Sequence, residues 1–188
     1  MPPPMQRGSN VTLTREIPGL TGVVVGVRWN AGSEKPLADN LVAATILCGA
    51  DNRVVSDEHF VFFNQLTSPD LSVTQLEAAV GDDQEQIEID LSAVPAEIAR
   101  IVVVLYINEG VGARRTLGQL KSCSVRLLNL AGNAELVRSE DFAALLGNET
   151  AIALGEVYRH ISDWKFKVLG QSYPQGFAGI ASDYGLSR

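Results

Sequence analysis

The acidic stretch at residues 77–90 is the part of the sequence whose residue types point most directly to chemistry. It reads EAAVGDDQEQIEID and holds six acidic residues and no basic one. Asp82 and Asp83 follow Gly81, and Glu85 comes two residues later. Calcium takes about six to eight oxygen ligands from carboxylates, amides and carbonyls, and such a loop can supply several of them. A solvated acidic loop beside a strand has the same composition, and the spacing is not that of an EF-hand, so both interpretations stay open.

Other catalytic and metal-binding chemistries have little support in the sequence. The histidines are His59 and His160, and two are too few for a three-histidine zinc site. The chain contains no GxSxG nucleophile motif, no GxxxxGKS/T phosphate-binding loop, no CxxC and no HExxH. We therefore expect a protein that is not an enzyme. A hydrolase that pairs a serine with one of the histidines is the alternative that the residues leave open.

The cysteines and one pair of arginines have simpler interpretations. Cys48 and Cys123 each lie in an apolar, strand-like run, so we expect buried, reduced thiols rather than a disulfide. Arg114 and Arg115 follow the segment NEGVGA. Two arginines there fit an exposed turn, and they could also contact an anionic partner.

Short runs of alternating or continuous apolar residues predict β-strands along most of the chain. QIEIDL at residues 86–91 alternates strictly, which places Ile87 and Ile89 on one face and the acidic residues on the other. IVVVLYI at residues 101–107 predicts a strand that is buried on both faces. Residues 151–160 and 164–170 predict a hairpin around the turn ISD. Further strands are predicted from residue 10 onward and at residues 21–29, 42–48, 59–63, 122–130 and 134–138.

Helices are predicted only as short segments, at residues 95–100, around residues 142–146 and at residues 174–185. About nine or ten short strands separated by turns favour an all-β fold, a two-sheet antiparallel β-sandwich with one or two short helices. The residues expected to fill its interior are Val23, Val25, Val27, Ile46, Phe60, Phe62, Ile87, Ile89, Val102, Val104, Val125 and Leu127.

Length and composition set the domain organisation and the class of partner. The 188 residues, 46% of them hydrophobic, fit one globular domain without metal or disulfide staples. We expect a flexible, proline-rich lead over residues 1–9 and a single domain over residues 10–188. The net charge of −7 argues against a general affinity for nucleic acid or an anionic membrane. No apolar run approaches the ~20 residues of a membrane-spanning helix or resembles a signal peptide, so we expect a cytoplasmic protein without membrane insertion.

Four stretches in a fixed order carry a family resemblance. They are SDEHFVFFNQLTSPDLSV (56–73), GDDQEQIEIDLSAVP (81–95), LGQLKSCSVRLLN (117–129) and GEVYRHISDWKFKVLGQSYPQG (155–176). Together they make the chain, from about residue 10 to residue 184, resemble the TerD family of tellurium-resistance and bacterial stress proteins. The resemblance implies a two-sheet β-sandwich and a cytoplasmic calcium-binding module without catalytic residues. It also implies action through binding to a protein partner, which the sequence does not identify.

The metal positions that the resemblance implies are only partly kept. Asn30 and Leu41 stand where the family has aspartates, and Leu71 stands where it has a glycine. The oxygen-bearing residues that remain as candidate metal ligands are Asp39, Asp57, Asn64, Asp82, Asp83 and Glu85. Because calcium affinity depends on the number of charged ligands, we expect at most one weak calcium site, formed where three loops meet at one end of the sandwich. The alternative is an interaction module whose degenerate metal site no longer binds calcium.

Overall fold

Residues 3–79, 81–108 and 115–187 are described by a computed structural model, in which two antiparallel β-sheets pack face to face. The strands are β1 (Asn10–Thr12), β2 (Gly22–Asn30), β3 (Leu41–Cys48), β4 (Phe60–Val61), β5 (Val73–Gln75), β6 (Glu85–Asp90), β7 (Arg100–Ile107), β8 (Ser122–Asn129), β9 (Glu135–Arg138), β10 (Ala151–His160) and β11 (Asp163–Tyr173). One sheet has six strands in the order β1-β11-β10-β7-β3-β4, and the other has five in the order β5-β6-β2-β8-β9. The predicted two-sheet β-sandwich is confirmed.

The core between the sheets follows from the alternation of apolar residues. On β2, Val23, Val25 and Val27 are fully buried, and β6 contributes Ile87 and Ile89 to the same apolar cluster. Residues two apart in a strand share a face, so the intervening residues of β2 point away from this core. The strict alternation in residues 86–91 therefore predicts the inward face of β6 correctly.

A second apolar cluster lies on the other face of the six-stranded sheet. The helix α3 (Phe177–Tyr184) covers that face and packs against the outward-facing residues of β3, β4 and β7. The predicted core residues that belong to this cluster are Ile46, Phe60, Phe62, Val102 and Val104. They are buried, as predicted, but beneath the helix rather than between the sheets. Strand β7 is accordingly buried on both faces, which confirms the interpretation of IVVVLYI.

The short helices match the sequence only in part. Helices α1 (Leu13–Glu16) and α2 (Lys35–Asp39) were not predicted, while α3 and a single 3-10 turn at Ala143–Leu145 lie where helical segments were expected. The helix predicted at residues 95–100 is wrong, because those residues form a turn that leads into β7. Arg159 explains the difference, since its guanidinium donates to the main-chain oxygens of residues 94, 95 and 98, and these hydrogen bonds fix the turn. The remaining 3-10 turns are Asp57–His59, Leu91–Ala93 and Leu117–Gln119.

The N-terminal segment and the cysteines complete the sandwich. In the segment expected to be a loose lead, Met5 N donates to Arg138 O at 2.8 Å and Gly8 N donates to Val168 O at 2.7 Å. This segment therefore joins β9 of one sheet to β11 of the other. Cys48 and Cys123 are free and fully buried, as predicted, and they lie in different apolar clusters.

Candidate functional site

The outer face of the five-stranded sheet carries a buried carboxylate that two arginines bind. Asp83 lies just before β6, and its side chain is completely buried. Arg28 on β2 donates through Nε to Asp83 Oδ1 at 2.7 Å, and Arg126 on β8 donates through Nη2 to Oδ2 at 2.9 Å. Gln86 Nε2 also donates to Oδ2, at 2.8 Å. Both oxygens of this carboxylate are therefore already occupied by protein donors.

The local sequence explains why the carboxylate can lie so close to the sheet. Because Val25 and Val27 face the core, Gly26 and Arg28 face outward, and Gly26 pairs with Arg126 across β2 and β8. A Cβ atom at Gly26 would lie 2.7 Å from the Cγ of Asp83 and still closer to its Oδ2. Only glycine leaves room for the Asp83 carboxylate at this point of the sheet.

The ion pairs continue to the edge strand β9. Arg126 Nη1 donates to Glu135 Oε1 at 2.9 Å, and Arg138 Nη2 donates to the same oxygen at 2.7 Å. The hydrogen bond from Arg138, together with Arg126 and against partial burial, lowers the pKa of Glu135 to about 2. Burial opposes the charge of Asp83, but its hydrogen bonds outweigh burial and lower the pKa of this carboxyl. We call Arg28, Asp83, Arg126, Glu135 and Arg138 the arginine–carboxylate network.

The network limits what its carboxylates can bind. Three arginines share two carboxylates, so positive charge already surrounds both acidic groups. A calcium ion at Asp83 would have to displace arginine donors from a buried carboxylate. The role of the network is therefore structural, because its ion pairs connect β2, β8, β9 and the loop before β6.

The structure does not bring the six predicted metal ligands together. Asp39 is the last residue of α2, just before β3 begins, and Asn64 follows β4 at that same end of the sandwich. Asp57 lies before β4, at the opposite end, where its Oδ1 accepts a hydrogen bond from Ser187 N. Part of a 3-10 turn and strand β4 therefore lie between Asp57 and Asn64 in the chain.

The acidic loop itself contributes two carboxylates outside the network. Asp82 is exposed, and Glu85, the first residue of β6, is half-buried. Burial raises the pKa of Glu85. Within residues 3–79, 81–108 and 115–187, no three acidic, histidine or cysteine side chains lie close enough to hold a metal ion.

The positions at which this chain departs from the family pattern have taken other roles. Leu41 is buried in the core between the sheets, and the Asn30 side chain accepts a hydrogen bond from Gly32 N at 2.8 Å. Leu71 keeps a left-handed backbone, with φ of +67°, although it is not glycine.

Of the two arginines considered for an anionic partner, Arg115 is half-buried, and Arg114 lies outside the described residues.

His59 contacts a serine and an aspartate, the residue types of the hydrolase alternative. Ser56 Oγ and His59 Nδ1 are 2.6 Å apart, and His59 Nε2 lies 4.0 Å from Asp70 Oδ2. His59 is buried in the 3-10 turn before β4, and the carboxylate of Asp70 accepts hydrogen bonds from Ser68 and Ser72. These contacts tie the loop between β4 and β5 to the start of β4.

A cavity that sequence reasoning did not identify lies beside α3. Phe60, Phe62, Phe63, Tyr106 and Phe177 contribute aromatic rings to its lining. The run FVFF at residues 60–63 could have indicated it. Alternation places Phe60 and Phe62 on one buried face, so Phe63 has to lie on the other face. Phe63 is 50% exposed.

Comparison with known proteins identifies the family. The chain matches the TerD domain over residues 1–184. It is 35% identical over 187 residues to the tellurium resistance protein TerD of Serratia marcescens, with 97% of each chain covered. It is 38% identical over 190 residues to general stress protein 16U of Bacillus subtilis, and this alignment covers 97% of this chain and 96% of that protein. The β-sandwich and these matches define a protein of the tellurium-resistance and stress-response class. The chain belongs to the TerD family.

Crystal structures of two other proteins share the fold. A homologue of the telluride resistance protein TerD from Streptomyces coelicolor aligns with a TM-score of 0.63 at 22% identity, over 82% of this chain and 91% of its own. A protein of unknown function aligns with a TM-score of 0.65 at 25% identity, over 90% of this chain and 99% of its own. Among the described residues, no helix has the length and apolar character needed to cross a membrane.

Proposed function

We propose that this chain is a non-enzymatic, cytoplasmic binding module of the bacterial tellurium-resistance and stress response, and that it acts without a calcium ion at its acidic loop. The observation that carries the proposal is the arrangement of Asp83. Its buried carboxylate is bound by Arg28 and Arg126, which supply the positive charge that calcium would otherwise provide. These hydrogen bonds hold the loop against the sheet.

The other departures from the family pattern support the same conclusion. Leu41 is an apolar side chain of the core where the resemblance implies an oxygen ligand. Asn30 contributes a neutral amide that already caps its own turn. A site with fewer charged ligands binds calcium more weakly. Losing these two carboxylates therefore favours an interaction module with a degenerate metal site.

A weak calcium site is the second candidate function. Glu85 is half-buried, no ion pair to it is found among the described residues, and burial raises its pKa. A bound cation would stabilise the ionised form of such a carboxyl. Asp39, Asn64 and Asp82 are the remaining predicted ligands at the same end of the sandwich. This candidate requires Asp82 and Glu85 to supply the charge.

Calcium titration distinguishes the two candidates. We expect the melting temperature of the wild-type protein to agree within about 1 °C between EDTA and 5 mM calcium chloride. A ligand raises the melting temperature by mass action only when it binds the folded state, and this proposal expects no such binding. Calorimetry should show no saturable heat. A calcium-dependent rise that disappears in the Asp82→Ala, Glu85→Ala variant would establish the calcium site instead. Glu77→Ala, which removes an acid from the same stretch, is the matched control.

The role in stress is tested in cells. Expression of the chain in a tellurite-sensitive bacterial host should increase growth in tellurite, and the Asp82→Ala, Glu85→Ala variant should protect as well as the wild type does. Protection that requires Asp82 and Glu85 would contradict calcium independence. A chain that is folded and expressed but gives no protection would contradict the resistance role.

A further inference from the structure

A cavity of about 420 Å³ lies between the start of α3 and the outer face of the six-stranded sheet. Its position is independent of the arginine–carboxylate network, which occupies the outer face of the other sheet. Small-molecule sites in proteins have volumes of roughly 300–1,000 Å³ and combine apolar walls with a few polar groups. The cavity meets both conditions, so its lining indicates which molecules it could hold.

Aromatic rings form the wall of the cavity. The ring centroids of Phe60 and Phe62 are 4.8 Å apart, those of Tyr106 and Phe177 are 4.6 Å apart, and Phe60 lies 5.6 Å from Phe177. These separations lie in the range of favourable aromatic pairs, so the rings support one another. Phe63, 5.1 Å from Phe62, leaves half of its surface exposed. These pairs are tilted or edge-to-face, with interplanar angles of 44° to 71°, and an aromatic ligand could add a further ring contact of the same kind.

Amide groups supply the polar part of the lining. Asn64, Asn108 and Gln175 are exposed, and none of their side chains hydrogen-bonds to another residue in the described part of the chain. Thr150 adds a hydroxyl. The described lining residues include no acidic or basic side chain. Amides donate and accept hydrogen bonds without charge, so the described lining offers polar contacts to a ligand and no counter-charge for an ionic one.

We propose that this cavity, defined by Phe60, Phe62, Phe63, Tyr106 and Phe177 with the surrounding amides, is a binding site for a small, uncharged aromatic molecule. The ligand packs its ring against those of Phe63 and Phe177, and its polar edge hydrogen-bonds to Asn64, Asn108 or Gln175. This inference rests on the proposed function in one respect, that the chain acts by binding. It names the class of molecule that is bound.

A matched pair of fluorescent probes tests the ligand class. N-phenyl-1-naphthylamine is uncharged and aromatic, and 8-anilino-1-naphthalenesulfonate is its sulfonated, anionic relative. We expect the neutral probe to bind the full chain saturably with one site per chain, and at least tenfold more tightly than the anionic one. Equal affinity for both probes, or binding that does not saturate, would overturn the proposal.

Variants test the location of the site. Phe63→Ala removes a half-exposed ring and should weaken neutral-probe binding at least tenfold, while Leu145→Ala, which removes an apolar side chain that is 43% exposed outside the cavity, should leave it unchanged. Gln175→Ala together with Asn64→Ala should weaken binding severalfold. If Phe63→Ala and the amide variant both bind as the wild type does, the cavity is not the site. Binding by tryptophan-containing peptides without binding of the neutral probe would also reject the proposal.

The calcium experiment and the probe experiment can contradict their two proposals independently. Probe binding is measured in EDTA and again in 5 mM calcium chloride, and the cavity proposal expects the same affinity in both. A calcium site at the acidic loop would appear as a rise in melting temperature and would leave the neutral probe bound in EDTA. Loss of probe binding in EDTA, with recovery in calcium, would overturn the cavity proposal as stated.

Discussion

The carboxylate of Asp83 lies over Gly26, in the space that a β-carbon at position 26 would occupy. The ideal Cβ position is 2.7 Å from Asp83 Cγ. The neighbouring outward side chains are Arg28 on the same strand and Arg126 on the paired strand. Because Gly26 has no side chain, the carboxylate can lie between these two guanidinium groups and bind both. Glycine at this position is thus part of the ion-pair geometry.

Gly26→Ala should destabilise the protein by about 3 kcal/mol, because the added methyl group must push a buried carboxylate away from its arginines. Chemical denaturation followed by circular dichroism measures the free energy of unfolding. Gly147→Ala is the control, since a Cβ there would meet only Glu149 Oε1, at 3.6 Å. Equal losses in the two variants would show that Gly26 has no special relation to Asp83.

Asp83→Ala should cost about 3 kcal/mol of unfolding free energy, because it removes the carboxylate between Arg28 and Arg126 and leaves both guanidinium groups without it. Asp82→Ala, at the adjacent exposed position, should change stability by less than about 0.5 kcal/mol. Urea unfolding of the two variants side by side measures the contrast. Equal stability of both variants would contradict the structural role of Asp83.

Stability should decrease as the pH falls from about 5 to 2. The pKa of Glu135 is lowered to about 2, below its ordinary value of 4.5, so the folded state binds this proton less readily than the unfolded state does. The stabilisation is therefore complete above pH 4.5 and is lost as the pH falls through 2. Glu135→Gln should remove about 2 kcal/mol of this pH-dependent stability, which is less than the full pKa difference corresponds to because solvent screens this partly exposed ion pair. Thermal unfolding at pH 7, 4 and 2.5 measures it, and an unchanged pH profile in the variant would refute the assignment.

Ile161→Gly should stabilise the protein by about 1 kcal/mol, although it removes an apolar side chain. Ile161 is the first residue of the two-residue turn between β10 and β11, is 92% exposed, and has a φ of +59°. Glycine is the favoured residue at a first turn position with positive φ. Leu145→Gly, at an exposed residue without positive φ, should instead lower the melting temperature. A lower melting temperature for Ile161→Gly would show that its backbone is not strained.

Cys48 and Cys123 should react slowly with a polar disulfide reagent while the protein is folded. Burial raises the pKa of each thiol to about 12, and the thiolate is the reactive form. Both thiols should react fully once the chain is unfolded in guanidinium chloride. Rapid labelling of the native protein at pH 8 would contradict the burial of these residues.

The fold class follows from patterns within short segments of the chain. The alternation that leaves Glu88 half-buried and buries Ile87 and Ile89 completely repeats every two residues, and it gives the strand one apolar face to pack against a partner layer. The apolar run at residues 101–107 likewise requires cover on both sides. Four ordered blocks of residues were sufficient to indicate the family.

Which distant side chains come into contact depends on the three-dimensional arrangement of the strands. Asp83 and Arg28 are separated by 55 residues, and Asp83 and Arg126 by 43, so their contact depends on strand order and register rather than on any local pattern. The same acidic loop that suggested calcium is therefore bound by arginines on other strands. The aromatic cavity likewise forms only where α3 packs against the sheet. The pairing of strands within a sheet makes neighbours of residues that are far apart in the chain. The alternation of apolar residues in one strand does not encode which strand lies beside it.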